Sequence, residues 1–216
     1  MKEARLARVE LRTLSTTGGH QVWPAAARLL EQLEQLEPDG AEKTVAELGA
    51  GTGWLGLTLA LRRPGWHVVL SEQRLEAAQE LLRHNLALNE VAGRVTVAVA
   101  DFFDATVEPS VAEADLLIAS DVVYTRELAA AFPVFVRRAL SGDRRLLYCH
   151  TFGRYDFVDR ALLAACAAAG LRVRQVREDG TLGTEEKEKE EEEEEWGDEY
   201  ELFPAQQCRL LCIDLP

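Results

Sequence analysis

The sequence predicts an α/β protein, a doubly wound parallel sheet with helices on both faces, and three observations carry that expectation. The first is the stretch Val45-Ala46-Glu47-Leu48-Gly49-Ala50-Gly51-Thr52-Gly53-Trp54-Leu55-Gly56-Leu57, an apolar run that breaks into alternating glycines and resumes at helical spacing. Strand, glycine loop and helix open a nucleotide-type site, because glycines let the backbone touch a ligand and the new helix terminus offers free N–H groups. The second is the repeated alternation of strand-like runs with amphipathic stretches, the pattern of a sheet covered on both sides. The third is length: 216 residues fill one such domain.

The elements follow in order. Residues 1–22 read as an N-terminal extension, where alternating Val9 and Leu11 and a Ser-Thr-Thr-Gly-Gly turn predict a short hairpin or edge strand. A helix comes next, with Pro24 in its first turn, Leu29, Leu30, Leu33 and Leu36 on one face, and Pro38-Asp39-Gly40 as its stop. The glycine motif leads into a helix ending near residue 61, and Arg62-Arg63-Pro64-Gly65 turns the chain into a strand over 67–71. Glu72 stands just past that strand, before a helix over 75–88. A third strand, 95–100, ends at Asp101-Phe102-Phe103-Asp104, and a fourth, 115–120, ends at Asp121-Val122-Val123-Tyr124.

A helix over 127–140, bent at Pro133, precedes a fifth strand over 145–150. The alanine-rich helix over 155–169 is stopped by Gly170, and strands over 171–176 and 207–214 complete the sheet. Residues 1–216 are read as one domain, with 180–203 as an acidic, disordered loop insertion.

Charge is unevenly spread. The formal net charge is −13, but residues 184–201 hold twelve acids and two lysines, which leaves −3 for the rest. The balance argues against nonspecific nucleic-acid binding. The acidic run reads as a solvated insertion kept open by self-repulsion, or else as a surface that attracts a basic protein. No apolar run has the length of a membrane span, and the N-terminus lacks a signal-peptide core, so a cytoplasmic or nuclear protein is expected. Cys149, Cys166, Cys208 and Cys212 form no CxxC pair and have no histidine at ligand spacing; they read as small buried hydrophobes in a reducing compartment, without a metal site.

Ligands of open α/β sheets bind at the carboxyl ends of the strands. Four acids recur there: Glu47, Glu72, Asp101 and Asp121. Glu72 follows Gly51 at the spacing of a ribose-binding acid, although an acid after a strand also caps the next helix. Gly51, Gly53 and Gly56 by themselves also satisfy a dinucleotide fingerprint, which keeps an NAD(P)-dependent oxidoreductase open at this point.

Glu47-x-Gly49-x-Gly51-x-Gly53 resembles the first motif of the seven-strand S-adenosylmethionine (SAM) methyltransferases. With Val22-Trp23-Pro24-Ala25-Ala26 before it and Ser120-Asp121-Val122-Val123-Tyr124 after it, the chain is similar to methyltransferase family 16, which includes many lysine methyltransferases. Pro24 and Glu72 stand where that family commonly has Asp, and Asp101 where several members have Trp. The resemblance implies a mostly parallel seven-stranded sheet whose last strand is antiparallel and inserts beside its predecessor. It implies SAM as cofactor, held by Trp23, Glu47, Gly49, Ala50, Gly51, Gly53, Glu72, Asp101, Phe102 and Ser120. Asp101 and Phe102 would flank the adenine.

By the same likeness Asp121 and Tyr124 stand at the methyl acceptor. Asp121 is expected to capture and orient an incoming cation, with Tyr124 shaping the channel. His150, at the end of the fifth strand, reads as structural. The implied activity is methylation of a protein side chain, lysine N6 first, by a monomer that engages neither nucleic acid nor membrane. A small-molecule methyltransferase and a catalytically silent SAM-binding module are the alternatives.

Overall fold

The computed structural model describes residues 5–12, 21–37, 40–177, 179–183 and 207–216. Seven strands form one sheet in the order β3-β2-β1-β4-β5-β7-β6. They are β1 (Lys43–Leu48), β2 (Trp66–Glu72), β3 (Val95–Val99), β4 (Leu116–Ser120), β5 (Arg145–Phe152), β6 (Arg172–Gln175) and β7 (Gln207–Asp214). The first five are parallel; β7 runs antiparallel to both β5 and β6 and lies between them. The insertion of an antiparallel last strand is as the resemblance implied.

Among the described residues six α-helices flank the sheet: α1 (Pro24–Leu36), α2 (Trp54–Arg62), α3 (Glu76–Ala87), α4 (Pro109–Ala112), α5 (Arg126–Ala139) and α6 (Asp156–Ala168). Period-two alternation along each strand sorts side chains between two cores. Val45, Val68, Ile118, Leu147 and Cys149 face α1, α2 and Leu82 of α3. Ala46, Leu48, Val69, Leu117, Leu146 and Tyr148 face α5 and α6. The same alternation puts Glu47 on the α2 side and His150 on the α6 side, which decides what each can touch.

Two expectations change. Residues 5–12 form no strand; they lie along α3, where Asn85 and Asn89 play the part of a strand partner. Asn85 accepts from Glu10 N–H at 2.8 Å and donates to its carbonyl at 3.1 Å, while Asn89 does the same for Arg8 at 3.0 and 2.8 Å. The turn half of the expected hairpin, 13–20, lies outside the described residues, as does most of the 180–203 insertion. Strand β5 runs two residues beyond the expected end at 150, paired to β7 as far as Phe152. The short helix α4 had no periodicity long enough to read. Among the described residues no helix is long and apolar enough to cross a membrane.

Candidate active site

The strand order reverses between β1 and β4: the chain moves outward through β2 and β3, then returns to the other side of β1. Loops leaving β1 and β4 therefore diverge and leave a crevice at the carboxyl edge. At Gly49 they nonetheless come close. A Cβ on Gly49 (φ +66°) would lie 2.6 Å from Val122 Cγ1, so glycine is what lets the two loops meet. Above that contact opens a cavity of about 750 Å³, the size of a small-molecule or cofactor site.

Its wall follows the strand order. Asp101 and Phe102 come from the end of β3, Glu72 from β2, Glu47 and Gly49 to Thr52 from β1, Ser120, Asp121, Val122 and Tyr124 from β4, and Arg154 and Tyr155 from beyond β5; Trp23 closes the side at the start of α1. Of the twelve predicted site residues, all but Gly53 line this cavity. Gly53 sits behind the wall instead. It is the left-handed N-cap of α2 (φ 77°), and a Cβ there would press on Leu82 and Leu70 at 3.1 and 3.2 Å.

The glycine loop is braced by carboxylates. Glu47, 3% exposed, accepts from Gly56 N–H in the first turn of α2 at 2.9 Å. Burial pushes its carboxyl up to about 8 against the opposing pull of that N–H, with the neighbouring Glu72 adding to the rise. Glu72 accepts from Gly51 N–H and Gln73 N–H, both at 2.9 Å, and is likewise raised by burial despite these two donors. Gly51 (φ +56°) has nothing within 4 Å of where a Cβ would be, so its backbone lies open toward the cavity. An acceptor carboxylate beside an open glycine backbone fits a ribose carrying two hydroxyl donors.

Asp101 folds back on its own loop, accepting from Phe103 N–H at 3.1 Å. The Phe102 ring stands edge-on to Phe132 (5.0 Å) and tilted to Phe135 (5.3 Å) of α5, so the core fixes a ring that also faces the cavity. A fixed aromatic face beside an acid suits a flat heterocycle.

The β4 end is the strained part. Asp121 is the one non-glycine residue at positive φ (50°) among the described residues, a conformation that short polar side chains tolerate best. Its carboxylate is not held open for an incoming cation, as had been expected. Its side chain is 2% exposed. It accepts from Thr151 N–H and Thr151 Oγ1, both at 2.8 Å, and from Arg154 Nη2 at 3.0 Å. Tyr124 reaches the mouth and is 42% exposed. Burial of its hydroxyl and the nearby Glu72 raise its pKa, so the phenol keeps its proton.

Two features escaped the sequence. Arg154 lies over the Trp23 ring at 5.0 Å while pairing with Asp121. Behind it runs a buried chain: Val123 N–H donates to Tyr148 Oη (3.3 Å), Tyr148 Oη bonds His150 Nδ1 (2.8 Å), and His150 Nε2 bonds Asp159 Oδ1 (2.8 Å). Gly153 N–H closes the chain on Asp159 Oδ2 at 2.9 Å. With the phenol donating to Nδ1 and Nε2–H donating to the carboxylate, a neutral imidazole satisfies every partner. The chain ties the β4 loop to the β5 loop. Reading β5 as ending at 150 hid both features, since Thr151 to Arg154 then looked like ordinary turn residues.

Comparison with known proteins agrees with this geometry. The family described as lysine methyltransferase, methyltransferase family 16, matches residues 6–155. The chain is 33% identical over 132 residues to EEF1A lysine methyltransferase 3 of Mus musculus, covering 59% of this chain and 53% of that protein. It is 34% identical over 145 residues to protein N-lysine methyltransferase METTL21A of Danio rerio, covering 65% and 64%. The chain thus spans between half and two thirds of the length of these curated relatives. Among solved structures, mitomycin 7-O-methyltransferase MmcR superposes with a TM-score of 0.59 at 19% identity, over 88% of this chain and 54% of that one, a likeness of fold. With the matched segment covering the cavity from its β1 loop to Tyr155, the chain belongs to the lysine methyltransferase family.

Proposed function

We propose that this protein transfers the methyl group of SAM to the N6 atom of a lysine in a protein substrate. One observation carries the reading: a single cavity at the switch point joins an acid-and-glycine half suited to an adenosyl group to a β4 end bearing Asp121 and Tyr124. SAM supplies the electrophilic methyl, and the chain's residues hold the partners. Glu72 and the Gly49–Gly51 backbone take the ribose side, Asp101 and Phe102 the adenine side. Much of the acceleration in such a displacement comes from alignment, which the braced loops provide by being fixed before ligands arrive.

The acceptor amine must lose a proton, since lysine has an ordinary pKa of about 10.4 and an ammonium has no lone pair. A bare Asp121 carboxylate would favour the charged amine. Paired with Arg154 it presents a neutralised acid, and the positive sulfonium of SAM, when bound, would disfavour a second positive charge on the amine. The protonated Tyr124 phenol at the mouth accepts a hydrogen bond from that amine. The acidic run favours a basic substrate protein, as steering by opposite charge would. An unchanged KM and an unchanged salt dependence after deletion of residues 185–195 would remove that part.

Purified protein incubated with radiolabelled SAM and a cell lysate, beside Asp121→Asn, tests the whole. Labelled protein bands with the parent chain and none with the variant support the proposal. Label confined to the small-molecule fraction would favour a metabolite methyltransferase instead, and failure of the parent chain to bind SAM would sink it.

A further inference from the structure

The charged side chains of the cavity wall are four carboxylates, Glu47, Glu72, Asp101 and Asp121, and a single cation among the described residues, Arg154. That cation is positioned with care. Asp121 Oδ2 accepts one of its N–H groups at 3.0 Å, the Trp23 ring lies under its guanidinium at 5.0 Å, and Asp159 anchors the backbone of the preceding Gly153 at 2.9 Å. Gly153 itself has φ 76°, which turns the chain back over the sheet edge. A guanidinium carries five N–H donors in a fixed plane, and the bond to Asp121 uses one. With its side chain 22% exposed and Asp121 at 2%, the guanidinium is the more accessible member of the pair.

The geometry points to Arg154 as the anchor for the α-carboxylate of the cofactor's amino-acid arm, an inference that rests on the cavity taking SAM. The rim supports it by order. Reading across the strands, Asp101 stands at β3, Glu72 at β2, the glycine loop at β1, Ser120 and Asp121 at β4, and Arg154 beyond β5. A ligand with its ribose at Glu72 and its adenine toward Asp101 extends its remaining arm over the glycine loop toward β4 and β5. Three strand spacings separate β2 from β5, about 14 Å, and Arg154 reaches back over part of that span to meet Asp121. The arm ends in an anion, and Arg154, the one cation of the rim among the described residues, stands at that end. Asp121 is then a positioning residue: it holds the guanidinium over Trp23, so that a second carboxylate finds its donors already oriented.

The test compares SAM with decarboxylated SAM, which keeps the adenosine, the sulfonium and the amine and lacks only the carboxylate. Equilibrium binding is measured on the full chain and on Arg154→Met and Arg154→Lys. The parent chain is expected to prefer SAM by tenfold or more, Arg154→Met to bring the two ligands within twofold, and Arg154→Lys to restore part of the preference. A preference that survives in Arg154→Met overturns the assignment. So does an equal loss of both ligands, which would make Arg154 a shaper of the pocket. If the parent chain binds neither ligand, the SAM reading fails as well, and that result is distinct from the other two.

Discussion

Glu47 offers the sharpest test of how this site is built. In the folded chain it keeps its proton up to about pH 8, because burial penalises the carboxylate more than the Gly56 N–H rewards it, whereas the unfolded chain releases that proton near 4.5. The stabilisation linked to this proton is therefore fully present below 4.5 and is lost as pH rises through about 8. At about 1.4 kcal/mol per pH unit, that interval sets a ceiling of about 5 kcal/mol; local relaxation lowers the expected figure to about 2–4 kcal/mol. Glu47→Gln is the right reference, since its amide cannot ionise yet still accepts from Gly56. Urea unfolding of both proteins is followed at intervals from pH 5 to pH 9, and only the difference in stability is read, so that the other titrating groups cancel. The gap should move in favour of Glu47→Gln as pH rises. A gap constant to within about 0.5 kcal/mol would refute the reasoning, because Glu47 would then titrate alike in both states.

Three further outcomes follow from the same geometry. Gly56→Ala would place a Cβ 2.4 Å from Leu70 Cδ2 and 2.6 Å from Glu47 Oε2; overpacking outweighs the helix-propensity gain of up to about 1 kcal/mol, and a net loss of about 1–3 kcal/mol is expected in urea unfolding. Asp159→Ala leaves the buried His150 Nε2–H and the half-buried Gly153 N–H without their acceptor; a loss of about 2–4 kcal/mol in the same assay is expected, at about 1–3 kcal/mol per stranded donor. Glu72→Ala removes the acceptor of Gly51 N–H and of the ribose hydroxyls; calorimetric titration should show S-adenosylhomocysteine binding weakened by about tenfold or more, about 1.4 kcal/mol at the least.

Much of the architecture was legible because strands and glycine turns write themselves locally. Val45 to Leu48 is apolar but for Glu47 and three alternating glycines follow, the pattern of a buried strand running into an open loop. Strand ends also announce themselves: Glu72, Asp101 and Asp121 each follow an apolar run directly, so their place on one rim needed only the parallel order. What stayed hidden depends on partners distant in sequence. Residues 5–12 alternate like a strand but bond to side-chain amides 75 and 81 positions away, which no local pattern reveals. Gly53 matched the motif as well as Gly51 did, yet one faces the cavity and the other Leu70 and Leu82, because Gly53 already caps α2, which packs on the sheet, while Gly51 lies in the loop before it. His150 looked like a lone polar residue at a strand end until Tyr148, two positions back on the same face, and Asp159, across on α6, were brought to it.

The buried acids show where the fold places its strain. Glu37 lies against Lys43 and Arg145, Asp121 against Arg154, and Asp159 against His150, each with a basic partner in reach. Glu47 and Glu72 have backbone N–H donors and no ion-pair partner among the described residues, and both are raised by burial. Uncompensated burial of carboxyls is costly in a scaffold whose other acids are paired. These two acids also border the half of the cavity where the glycine backbone lies open. A ligand that brings hydroxyl donors to Glu72 and a positive charge to the cavity supplies what that half lacks, and it favours the ionised form that burial disfavours. Affinity for such a ligand is thus built into the fold by two buried carboxyls at the edge of the sheet where the loops of β1 and β4 diverge.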